Sequence, residues 1–168
     1  MFFRFVNLEQ KPYWGDEAVG LNRISGCNQS ELKAVALRGD EMSVEQVLKY
    51  QSPCPEKRLI DAINALAEVP EHPPLYYLMV RFWMQSGMKT SRSLSALVSL
   101  LALPCIYLLC LELFESPLVG WIAIALIAIS PLHVLYAQEA RQYSLWTVTI
   151  LLSSWAMLRA MRVNTKKS

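Results

Sequence analysis

Between Leu94 and Met161 the chain carries three apolar stretches, each close to the roughly 20 residues a helix needs to cross a bilayer. They are Leu94–Phe114 (LSALVSLLALPCIYLLCLELF), Leu118–Ala137 (LVGWIAIALIAISPLHVLYA) and Tyr143–Met161 (YSLWTVTILLSSWAMLRAM). Glu112 near the end of the first, His133 in the second and Arg159 near the end of the third are their principal ionisable groups. Pro104 would break a soluble helix but is tolerated in a membrane one. Backbone polar groups in hydrocarbon must be satisfied within the structure, and no alternating strand pattern of barrel length is present, so the spacing predicts helices throughout. The connections, 115–117 and 138–142, are short enough to make the three helices antiparallel neighbours. A buried soluble helical hairpin is the competing fold, and three successive stretches of span length argue against it.

Composition supports this reading, with 54% apolar and 18% charged residues against about 45–50% and about 25% in soluble domains. The excess sits in the C-terminal half, whereas residues 8–72 read like a soluble chain. A net charge of +2 without a basic, aromatic-interleaved stripe excludes a nucleic-acid partner. The four cysteines show no metal-ligand spacing. Cys105 and Cys110 read as small core residues, and Cys27 and Cys54 either bridge in an oxidising compartment or stay as thiols. Arg159, Arg162, Lys166 and Lys167 at the C-terminus place the tail, 162–168, in the cytoplasm. Residues 1–93 and the 138–142 loop then lie on the outer face of a plasma (inner) membrane. Lys89 and Arg92 flank the first span on its outer side and stand against that orientation. Met1–Leu8 has the character of a last membrane-helix turn and lacks the parts of a signal peptide, so an upstream span is expected to carry the polar region across.

That polar region reads as short helices joined by breakers. Asp16–Ser25 opens on two acids and ends at Gly26. Ser30–Leu37 is a second candidate, and Ser43–Tyr50 begins with the Ser-x-x-Gln capping pattern. Glu56–Val69 is amphipathic, with Leu59, Ile60, Ile63, Leu66 and Ala67 on one stripe for a membrane surface or the bundle. Pro70, Pro73 and Pro74 frame Glu71 and His72 at a rigid turn before an aromatic-rich helix, Leu75–Ser86.

Four segments, in order, resemble the GT-C glycosyltransferases, in particular the family 39-like branch related to protein mannosyltransferases and aminoarabinose transferases. FRFVNLEQKPYWGDEA is similar to their first outer loop, EHPPLYYLMVRFW to the stretch that re-enters the bundle, RSLSALVSLLALPCIYLL to the second span, and SPLHVLYAQEARQYSLW to the second outer loop. The resemblance covers nearly the whole chain. It implies a multi-pass helical membrane protein, with a loop of short juxtamembrane helices, that moves a sugar from a polyprenyl-phosphate donor to an acceptor at the outer face.

The resemblance assigns the general base to Asp16, which would take the acceptor's proton, with Glu17 supporting it or orienting the acceptor. Read locally, the same pair is ordinary dipole placement at a helix start. Arg141 would clamp the lipid-linked phosphate, and Glu139 would pair with it or help hold a metal. Read locally, both are hydrophilic residues at a tight turn. Tyr143 joins them as a substrate-side candidate, although it also suits an interface anchor. Glu71 is the metal candidate, since some relatives carry a divalent ion near that position. Where His72 stands related chains have lysine, so its substrate role is open, and two adjacent residues do not make a metal site alone. His133 inside a span is a functional candidate by its placement, and Arg4, Arg23 and Arg81 are further cations able to meet a phosphate. Family members are much longer, so the resemblance implies a truncated transferase whose remaining spans come from elsewhere, as from a partner protein, or an inactive fragment of one. The alternative is a non-catalytic membrane scaffold or assembly subunit.

Overall fold

The computed structural model describes residues 2–27, 34, 37, 39, 43–68, 73–88 and 90–165. The expected helix at Ser30–Leu37 therefore falls almost wholly outside the described residues. All regular structure among the described residues is helical. After a 3-10 turn at Phe2–Arg4 come α1 (Gly15–Ser25), α2 (Val44–Lys49), α3 (Leu59–Ala67), α4 (Pro74–Gln85), α5 (Arg92–Phe114), α6 (Pro117–Ile129), α7 (Pro131–Ala137) and α8 (Tyr143–Thr165). The helices form two compact units. A short-helix unit holds Glu9–Leu94 with Ala140–Gln142, and a long-helix unit holds Met1–Leu8, Ser95–Glu139 and Tyr143–Ser168. Met1–Leu8 thus groups with the long helices and Ala140–Gln142 with the short ones.

In the short-helix unit local chemistry sets the helix ends. The Trp14 amide donates to the Glu17 carboxylate at 3.4 Å at the start of α1, and Gly26 closes it at φ 88°, a left-handed cap that glycine adopts without strain. The Ser43 amide donates to Gln46 Oε1 at 2.9 Å while the Gln46 amide donates to Ser43 Oγ at 3.3 Å, the reciprocal box expected from the sequence. Asp61 accepts from the Arg58 amide at 2.7 Å, so α3 starts at Leu59 rather than Glu56. Pro74 opens α4, where its missing N–H leaves no bond unmade.

Helices α1, α3 and α4 pack together over Leu21, Ile24, Ala62, Ala65, Leu66, Tyr76, Tyr77 and Val80. The face α3 buries is not the one its large apolar residues mark out. Ala62, Ala65 and Leu66 are buried while Leu59, Ile60 and Ile63 remain exposed, because the small alanines allow a closer approach than the branched stripe would. Gly20 on α1 serves the same end: a Cβ there would lie 2.5 Å from Tyr77 Cε1. Gly20→Ala would ordinarily gain up to ~1 kcal/mol in helix propensity. Here the overlap is expected to reverse the sign and destabilise the chain by about 1–3 kcal/mol, read as a lowered thermal midpoint in detergent.

Among the described residues one helix is long and apolar enough to cross a membrane, α5, with 23 residues and a mean hydropathy of 2.4 over an 18-residue window. The second expected span is not one straight helix. α6 and α7 are bent by 62° and reach span length and hydropathy only together. The break lies at Ser130–Pro131, because proline lacks an N–H and drives the preceding residue out of the helical region. Ser130 is accordingly at φ −59°, ψ 117°, with its side chain accepting from the His133 amide. The third, α8, is long enough at 23 residues, but Ser, Thr and Arg residues keep it outside the same description. Arg4 stitches the break. Its Nη2 donates at 3.3 Å to the Ile127 carbonyl, four residues before Pro131, the carbonyl that this proline leaves without its helical partner. At the far ends of α5 and α8, Arg162 meets Glu112 at 3.0 Å and Glu115 at 2.9 Å. Thus Glu112, the charge inside the first apolar stretch, is paired.

Candidate functional site: a split carboxylate pair

Asp16 and Glu17 are adjacent on α1 but have opposite surroundings. Successive residues on a helix point about 100° apart, so when one faces the interior its neighbour turns away. Glu17 is fully buried (0% exposed). Its Oε1 accepts from Arg92 Nε at 2.9 Å and its Oε2 from Arg92 Nη2 at 2.6 Å, a two-point guanidinium clamp. Oε1 also accepts from the Ala140 amide at 2.6 Å. Arg92 in turn donates to the carbonyls of Lys11 at 2.7 Å and Pro12 at 3.0 Å, and its guanidinium lies 4.5 Å from the centre of the Tyr13 ring. One buried ion pair therefore ties the segment before α1, α1 itself, the start of α5 and the Ala140–Gln142 loop together.

Asp16 looks the other way. Its side chain is 54% exposed, and Arg141 Nη2 approaches Oδ2 at 3.5 Å from a side chain only 13% exposed. Arg141 Nη1 is 3.4 Å from the Asp16 carbonyl and 3.5 Å from the Tyr77 hydroxyl. That hydroxyl donates to Gln142 Oε1 at 3.1 Å, with Gln142 itself buried. These contacts of Arg141 with Asp16 and Tyr77 are long and the Asp16 carboxylate faces solvent, so that carboxylate is accessible to a third group.

Elsewhere in this unit, Arg23 pairs with Glu68 at 3.3 Å. Arg81 is buried and donates to the carbonyls of Ile24 and Lys57. Burial lowers the pKa of its guanidinium, an effect opposed by Asp61 and Cys54. Cys27 and Cys54 are unbridged thiols.

The structure therefore brings Asp16 and Arg141 together, 125 residues apart in sequence, and buries Glu17 against Arg92. Glu139 and Tyr143 belong to the long-helix unit. There the Tyr143 ring lies 4.6 Å from that of Tyr136 at a tilt of 49° and meets Trp146 edge-on at 6.0 Å. Glu71 and His72 lie outside the described residues, and among the described residues no cluster of three or more His, Cys, Asp or Glu is arranged to hold a metal ion. No protein-family model, no curated protein and no solved structure matches this chain.

Arg92, Tyr77 and Gln142 were not singled out by sequence. Arg92 figured only as a flanking charge, and nothing local links it to a glutamate 75 positions earlier. An arginine at the mouth of an apolar stretch, with no acid near it in sequence, is the signal that points to a distant carboxylate.

Proposed function

We propose that the chain is a multi-pass membrane glycosyltransferase component of GT-C type, with Asp16 as general base and Arg141 as the phosphate clamp. The observation that carries this reading is the Asp16–Arg141 pair, with its carboxylate facing solvent. The reaction needs both tools: an acceptor hydroxyl gives its proton to the Asp16 carboxylate, and its oxygen attacks the anomeric carbon of a polyprenyl-phosphate sugar. The bond from that carbon to the phosphate oxygen breaks, and the guanidinium meets the charge of the departing phosphate. Glu17 acts in this scheme as a positioning residue, since with Arg92 it fixes α1 and the Ala140 backbone on either side of the pair.

Bilayer insertion is supported by α5 and by the exposed Leu118, Trp121, Ile122, Leu126 and Ile129 of α6, more apolar surface than a soluble domain leaves open. The exposed Leu59, Ile60 and Ile63 of α3 suit the membrane surface. We place the short-helix unit outside and the C-terminus in the cytoplasm.

The test uses membranes from cells that express the chain, supplied with a panel of labelled polyprenyl-phosphate sugars. Release of polyprenyl phosphate above control membranes is the expected result. A protein inert across the panel would favour the scaffold alternative.

A further inference from the structure

Among the described residues, the long-helix unit contains a buried cation without a counter-charge. Arg4 is 0% exposed, and its partners are Ser99 Oγ at 2.7 Å, the Ser99 carbonyl at 3.4 Å, the Ile127 carbonyl at 3.3 Å and His133 Nδ1 at 2.9 Å. All are neutral groups, and no carboxylate among the described residues pairs with it. Buried charges are normally paired, because an uncompensated one is costly in a low-dielectric interior. The contact with His133 has a definite chemical consequence. A guanidinium has only donors, so Nδ1 must accept and the ring proton must sit on Nε2. His133 Nε2 is thus a fixed N–H donor beside a positive charge, and it is buried with no partner.

His133 also lines a cleft of about 210 Å³ at the α6–α7 break, with Ser130, Tyr136, Tyr143, Ser144 and Thr147 among the other walls. Hydroxyls and an N–H next to an uncompensated cation form an environment that favours an anion, and tetrahedral oxyanions use several donors of this kind at once. We propose that this cleft binds a phosphate group, received by His133 Nε2–H and the hydroxyls of Ser130, Tyr136 and Ser144 as the counter-charge to Arg4. The cleft is lined only by the long-helix unit, and the proposal does not depend on the transferase reading. A phosphate-bearing lipid headgroup and a free phosphate share the required chemistry.

The test uses the full chain in phosphatidylcholine nanodiscs. Inorganic phosphate is added from solution and followed by calorimetry. Phosphatidic acid is built into the disc, and its retention is counted by native mass spectrometry. Saturable binding of either probe is expected, the one that binds identifying the source. His133→Asn keeps an acceptor where Nδ1 stood but removes the Nε2 donor, and is expected to weaken binding about tenfold or more. His133→Gln, which places an amide nitrogen near the position of Nε2, is expected to recover most of it. Ser144→Ala removes one wall hydroxyl and should weaken binding about threefold, which serves if the Asn variant does not fold. The proposal is overturned if neither probe binds the wild-type chain, or if His133→Asn or Ser144→Ala binds as wild type does.

Discussion

Methionine in place of Arg92 is expected to destabilise the folded chain by about 3–5 kcal/mol, the usual cost of leaving one partner of a buried ion pair behind. Glu17 would keep the amide of Ala140 but lose both guanidinium bonds in a place that water does not reach. At about 2–4 °C per kcal/mol for a chain of this size, the thermal midpoint in detergent should fall by roughly 6–20 °C. Methionine preserves most of the volume, so a large drop reports charge rather than packing. Pairing Arg92→Met with Glu17→Leu removes the stranded carboxylate, and buried pairs exchanged whole for apolar residues are often neutral. Most of the lost midpoint should therefore return in the double variant. A single variant that melts within 2 °C of wild type, roughly the effect of half a kcal/mol to one kcal/mol, would mean that this pair does not hold α1 to the start of α5.

Asp16→Asn should behave in the opposite way. The carboxylate is more than half exposed and its ion pair with Arg141, at 3.5 Å, is a long one, so stability should change by no more than about 0.5 kcal/mol. An amide cannot accept the acceptor's proton, and removing a general base lowers a rate by about 100- to 10,000-fold. The readout is release of polyprenyl phosphate from the donor that the wild-type membranes consume. Transfer at the wild-type rate by the Asn variant would end the assignment of Asp16 as base.

How much of this was legible in the sequence follows the range of each interaction. Caps act over three or four residues, so the Ser43–Gln46 box, the glycine end of α1 and the proline start of α4 were all readable. Apolar length marked α5 correctly. The same signal ran α6 and α7 together, because hydropathy does not register the carbonyl that Pro131 leaves unpaired, whereas the backbone does. The apolar stripe of α3 with Leu59, Ile60 and Ile63 was readable, but the face that packs within the unit, Ala62, Ala65 and Leu66, was not. Close approach of the helices favours alanine, and that preference depends on neighbours far away in sequence. Asp16 and Glu17 are chemically near-identical side by side in the chain. What separates them is a rotation of one residue on α1 and an arginine 75 positions later. The meeting of Asp16 with Arg141 likewise depends on Ala140–Gln142 joining the short-helix unit, which no local pattern indicates.

The most direct test compares Asp16→Asn and Glu17→Gln side by side, measuring thermal midpoint and polyprenyl-phosphate release on the same membrane preparations. A split is predicted: the Asn variant melts with the wild type and transfers at least 100-fold more slowly. The Gln variant, left with a neutral group against Arg92, melts lower, and the transfer it retains tracks the fraction that stays folded. Two variants that lose midpoint alike, or an Asn variant that transfers normally, would contradict the division of one carboxylate for chemistry and its neighbour for the fold.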